Sequence, residues 1–167
     1  MSKRYLISTS EFSEQSLIDL SLKHQSFLSW PLVYFLSENE KYEAYVGETT
    51  VLVSRMKAHL KSDRKKNLKS AHLILSDFFN KSATLDIESN LIKYIAADGR
   101  YQLQNGNLGI ANHQFYQQKE VYWDIFKDIW LELRALGIAR HSLEYIDNSD
   151  LFKYSPYKSY LQNRLLV

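Results

Sequence analysis

At 167 residues the chain is long enough for one domain with a real core and too short for two independent ones. An apolar content of 45% with 24% charged residues, five glycines and two prolines excludes a disordered or collagen-like polymer. The absence of cysteine excludes disulfides and thiolate zinc sites, and a net charge of +2 announces no nucleic-acid binder unless the positive charge is gathered locally. No apolar run approaches the roughly 18 residues that span a bilayer, and MSKRYLISTSEFSEQ lacks a signal peptide's apolar centre, so the chain reads as cytoplasmic.

In chain order, SLIDLSLKHQSFL (16–28) spaces Leu17, Leu20 and Leu28 along one helical face, and Pro31 ends that helix. LVYFLS (32–37) and YEAYVG (42–47) are rich in Tyr, Val and Phe and are separated by the polar ENEK, which predicts a β-hairpin. Residues 50–61 read as a helix, a basic segment KSDRKKNLK (61–69) follows, and AHLILS (71–76) is a third strand. SATLDIESNLIKYIAADG (82–99) predicts a helix capped by Ser82 and stopped by Gly99. The turn-rich YQLQNGNLGIAN (101–112) leads to a helix over 120–137, with Val121, Ile125, Ile129, Trp130, Leu133 and Leu136 on one stripe.

Several of these residues carry chemistry. On the 82–97 helix, Leu85, Ile87, Leu91, Ile92, Ile95 and Ala96 share an arc with Glu88 near its middle, while Asp86, Asn90 and Lys93 lie opposite. A carboxylate on an apolar face needs a cation, hydrogen-bond donors or a raised pKa, so Glu88 reads as a metal ligand or as half of an interior ion pair. On the 51–61 helix, Leu52, Val53, Met56 and Leu60 group together, Lys57 faces water, and Arg55 and His59 project side by side at the boundary. A guanidinium beside an imidazole suits a phosphate, and equally suits a packed rim. Tyr34 and Tyr45 fall at matching places on the two hairpin strands, where phenols either line a cleft or serve as ordinary strand residues.

The ordered set Leu32-Val33-Tyr34, Tyr45-Val46-Gly47, Arg55, His59 and Glu88 in ESNLIKYI, with Asn105 in LQNGN, resembles the GIY-YIG nuclease domain over about residues 31–107. SATLDIESNLIKYIAADGRYQLQNGN and the tail NSDLFKYSPYKS are further similar to the N-terminal GIY-YIG portion of bacterial DUF2075 proteins, where a Schlafen-like helicase region follows. Two positions depart from the family pattern: Leu32 replaces the first glycine, and Glu48 stands where many members carry a lysine. One positive contact to phosphate is then either missing or supplied by Lys57 or the basic run 64–69.

The resemblance implies an α/β (α+β) fold with a small, mostly antiparallel, three-stranded central sheet flanked by helices. It fits a single domain over 1–167, with an N-terminal helix and a C-terminal helical extension around the motif core. It implies a metal-dependent endonuclease in which Glu88 holds Mg²⁺ or Mn²⁺, Arg55 stabilises phosphate charge, and Tyr34 takes a proton from water. Tyr45 and His59 are second candidates for the proton or phosphate contact. Lys57, Arg64, Lys65, Lys66, Lys69 and Asn105 are expected at the substrate, DNA before RNA, with a helicase as a partner in cis or trans. The rivals are a non-catalytic nucleic-acid-binding or helicase-docking module and a sequence-specific endonuclease. About 60 residues after the motif block leave little room for the recognition region that a sequence-specific enzyme needs.

Overall fold

The computed structural model describes residues 4–23, 25–105 and 119–151. The three predicted strands form as β2 (Leu32–Glu38), β3 (Glu43–Thr49) and β4 (Ser70–Leu75), where β-branched and aromatic residues suit a pleated, buried surface. Glu38 holds the β2–β3 turn, its carboxylate accepting the backbone N–H groups of Glu40, Lys41 and Glu43.

Two further strands correct the expected three-stranded antiparallel sheet. β1 (Leu6–Glu11) pairs antiparallel with β4, and β5 (Gln102–Leu103) pairs parallel with β3, giving a mixed five-stranded sheet in the order β1-β4-β2-β3-β5. β1 reads LISTSE, and its serines and threonine mask the alternation that normally betrays a strand. Two-residue β5 is held by the N–H groups of Gln102 and Gln104, which donate to the carbonyls of Tyr42 and Ala44, both at 2.8 Å, and by Leu103 packed against the core.

Helices cover both faces. On one lie α1 (Glu14–Lys23) and α2 (Leu52–Leu60), packed with the sheet around Leu17, Leu20, Leu32, Leu36, Met56 and Leu73. On the other lie α3 (Lys81–Asp98), α4 (Lys119–Ala135) and α5 (Leu143–Asp147), around Phe35, Ile87, Leu91, Phe126, Ile129 and Trp130. α1 ends at Lys23, short of the expected 28, and a single 3-10 turn (Gln25–Phe27) brings Leu28 back against the core that holds Leu17 and Leu20. α3 is capped by Asn80, not Ser82: its side chain accepts the Ala83 N–H at 2.8 Å. Gly99 stops α3 as expected, at φ +79°, a left-handed conformation that favours glycine.

Two face assignments are corrected. α3 has the sheet on one side and α4 with α5 on the other, so Asp86 and Asn90 are buried and the wetter strip holds Lys81, Leu85 and Glu88. On α4 the buried stripe runs through Tyr122, Ile125, Phe126, Ile129, Trp130 and Leu133, leaving Val121 and Leu136 exposed. Among the described residues no helix is long and apolar enough to cross a membrane. The turn-rich segment is described only as far as Asn105, and most of NSDLFKYSPYKS lies outside the described residues.

Candidate active site

Tyr34 and Gly47 are the starting point. They face each other across the β2–β3 ladder, and the Tyr34 ring lies over the glycine so closely that a Cβ there would overlap its Cζ and hydroxyl. The glycine of the second tripeptide is therefore needed for close approach, at a position whose φ needs no glycine. The register also corrects the expected pairing of the two tyrosines. Tyr45 opposes Leu36, so the phenols are diagonal neighbours on one sheet face, with ring centroids 6.2 Å apart.

α2 brings His59 against both rings. Its Nε2 lies 2.7 Å from the Tyr34 hydroxyl and its ring centroid 5.1 Å from that of Tyr45. The wheel placed His59 at the helix boundary, yet it is buried, because two aromatic rings supply the surface that aliphatic residues supply elsewhere. Burial, with the Lys65 and Arg55 cations adding to it, pushes the imidazole down to about 4, so the ring is neutral near pH 7. Burial, reinforced by Tyr45, Glu88 and Glu48, pushes the Tyr34 phenol well above its ordinary range against the pull of Arg55. A protonated phenol facing a neutral imidazole donates its O–H to Nε2 in the Nδ1–H tautomer.

Glu88 approaches from α3 on the opposite sheet face. Burial and the neighbouring Glu48 carboxylate raise it to about 7, while Lys81, the Glu48 backbone N–H and Arg55 favour its charged form. Glu48 itself receives the Lys81 ammonium at 2.5 Å and the Thr84 hydroxyl at 3.3 Å. Glu48, directly after the second tripeptide, is thus met from α3 by Lys81, a residue the sequence reading passed over. Its signal was present: an acid on a strand edge demands a cation, and α3 opens with one.

Arg55 joins the two halves. It is exposed at the edge of α2 and, among the described residues, has no ion-pair partner, yet its charge acts on Tyr34, Tyr45, His59 and Glu88 alike. The site therefore straddles the outer edge of β3 beyond β5, with phenols and imidazole on one face and carboxylates on the other.

The remaining predicted residues divide. Lys65 reaches the site, its Nζ 4.4 Å from the Tyr45 ring centroid. The loop carrying it is tethered by Gln104, whose side-chain amide donates to the Arg64 carbonyl at 3.1 Å. Lys66 pairs with Asp63 and Lys69 with Glu40 on the surface, whereas Lys57 lines a groove between α1 and α2 with Leu17 and Ile18. Asn105 spends both ends of its amide on one backbone residue, accepting the Val46 N–H at 3.1 Å and donating to its carbonyl at 2.7 Å.

A family model gives this constellation a relative. Residues 31–102 match the GIY-YIG catalytic domain. The matched GIY-YIG segment spans β2 to the start of β5 and contains the residues grouped above: Tyr34, Tyr45, Glu48, Arg55, His59, Lys65, Lys81 and Glu88. The match implies nuclease-type function and a nucleic-acid substrate. No curated protein and no solved structure matches the chain.

Proposed function

We propose that the protein is a metal-dependent endonuclease hydrolysing phosphodiester bonds of nucleic acid, DNA before RNA, with weak or structure-based specificity. The convergence of Tyr34, Tyr45, His59 and Glu88 on one exposed arginine carries this reading. An exposed arginine whose charge is felt by a carboxylate and by a tyrosine–histidine pair is disposed to receive an anion.

The donor set fits a hard divalent cation, Mg²⁺ or Mn²⁺. The chain offers carboxylate oxygens and no thiolate, and no group of three or more His, Cys, Asp or Glu side chains occurs among the described residues. A hard divalent ion bound through one or two carboxylates keeps most of its coordination for water and phosphate. Glu88 would hold it, and when bound it polarises the phosphate and stabilises the departing oxygen. Arg55 clamps the same phosphate bidentately and balances the charge that grows during attack. Tyr34 accepts the proton of the attacking water while passing its own to His59 Nε2, so no free phenolate is required of a group whose burial opposes one. Lys65 adds a cation at the Tyr45 edge of the cleft. A helicase in cis or trans rests on the sequence likeness to DUF2075 proteins alone.

Cleavage of labelled single-stranded, duplex and forked DNA, with matching RNA, in Mg²⁺, Mn²⁺ or EDTA tests the reading. Metal-dependent cutting that is lost in folded Glu88→Gln and Arg55→Ala supports it. Binding without cutting in every metal would favour the non-catalytic module.

A further inference from the structure

Glu48 is held in place while its partner is free to leave. Its side chain is only 11% exposed and is fixed by the Thr84 hydroxyl, whereas the Lys81 side chain that pairs with it is 57% exposed. Thr84 and Glu88 lie one turn apart on α3, and the Glu88 carboxyl is acted on by both Glu48 and Lys81. The Glu48 carboxylate thus holds the Lys81 ammonium directly, and the Glu88 carboxyl feels both charges, so a cation already sits at the carboxylate nearest Glu88. A divalent ion bound through two carboxylates, with water and phosphate filling the other positions, fits the same donors better than a lysine that can reach water instead.

We infer that Glu48 is a second ligand of the divalent cation, and that Lys81 keeps its place in the metal-free protein and withdraws from Glu48 when the ion arrives. This rests on the nuclease reading above and extends it. The released ammonium then lies beside the phosphate that the cation and Arg55 receive, supplying the positive contact that Glu48 cannot.

The test is Mn²⁺ titration without nucleic acid, with free ion followed by electron paramagnetic resonance, on the wild type, Glu48→Gln, Lys81→Met and the double variant. Circular dichroism checks the fold of each, and the amide that Glu48→Gln introduces retains an acceptor for Thr84. Glu48→Gln is expected to weaken binding by about tenfold or more, as loss of a ligand or of its close support does, and Lys81→Met to tighten it. The double variant restores the wild-type local charge but stays weaker than wild type, because a ligand is missing. A double variant with wild-type affinity would show that Glu48 acts through charge alone and overturn the inference, as would a wild type that binds no Mn²⁺ at millimolar concentration. Cleavage is read separately. Cutting by the wild type alongside a fully restored double variant removes the second ligand and leaves the nuclease; the expected order of affinities without cutting in any metal does the reverse.

Discussion

At the scale of single residues, the cleft depends on contacts that admit little substitution. Gly47→Ala forces a methyl into the Tyr34 ring, which must move away from His59. The expected result is a destabilisation of about 1–3 kcal/mol in chemical unfolding, typical of overpacking, with cleavage falling further than stability. Tyr34→Phe keeps the ring and deletes the hydroxyl. It should change stability by only about 1 kcal/mol but slow cleavage by about 100- to 10 000-fold, the range of a lost proton-transfer group. Glu88 links the site to pH. Its carboxyl titrates at about 7 against an ordinary 4.5, so between those values the folded protein binds a proton that the unfolded chain has released. The contribution of Glu88 to stability in EDTA therefore falls as pH rises through that window, opposed below about pH 6.5 by His59, whose folded-state value of about 4 makes its own contribution rise. Glu88→Gln should remove that falling contribution, leaving the rise from His59, and raise the melting temperature above pH 7 by the equivalent of about 1 kcal/mol once solvent screening of this half-buried group is allowed for.

At the scale of elements, the edge of β3 is completed by side chains where strand pairing stops. β5 covers Glu43 and Ala44, and Asn105 then takes both backbone groups of Val46. Asn105→Ala should cost about 1–2 kcal/mol and speed hydrogen exchange at the Val46 amide while exchange in β4 is unaffected; equal acceleration in both strands would argue against a local role. These elements were unequally legible. β2, β3 and β4 show in the sequence because apolar and β-branched residues are packed into short runs, and the order Tyr34, Tyr45, Arg55, His59, Glu88 shows because each side chain is chemically distinctive. β1 is hidden by Ser8, Thr9 and Ser10, and β5 by its brevity. The Lys81–Glu48 pair is hidden because its partners lie 33 positions apart and meet only once α3 has docked on the sheet. The helical wheel put Glu88 in the middle of a buried arc because it assumed one wet side for a helix that is covered on two, whereas Glu88 lies on the wetter strip.

At the scale of the whole molecule, a net charge of +2 says little, and the nuclease reading makes binding depend on where a few cations stand. Lys65 overlies Tyr45 in the cleft, whereas Lys57 faces the groove between α1 and α2. Lys65→Ala should weaken nucleic-acid binding uniformly across sequences and lower the slope of log affinity against log salt by about one. Lys57→Ala should leave that slope unchanged, and a fall of similar size would place the substrate path across α2 instead.

The sheet divides the interior in two, and among the described residues the cluster beneath α3 and α4 holds twice as many buried apolar residues as the one beneath α1 and α2. Arg55 and His59 ride on the thinner layer, whereas Glu88 belongs to the thicker one. Heat should therefore separate the arginine from the carboxylate before it melts the body of the protein. Catalytic inactivation and global unfolding become distinct events, the first reversible on cooling and several degrees below the second, and their separation measures how firmly α2 is held.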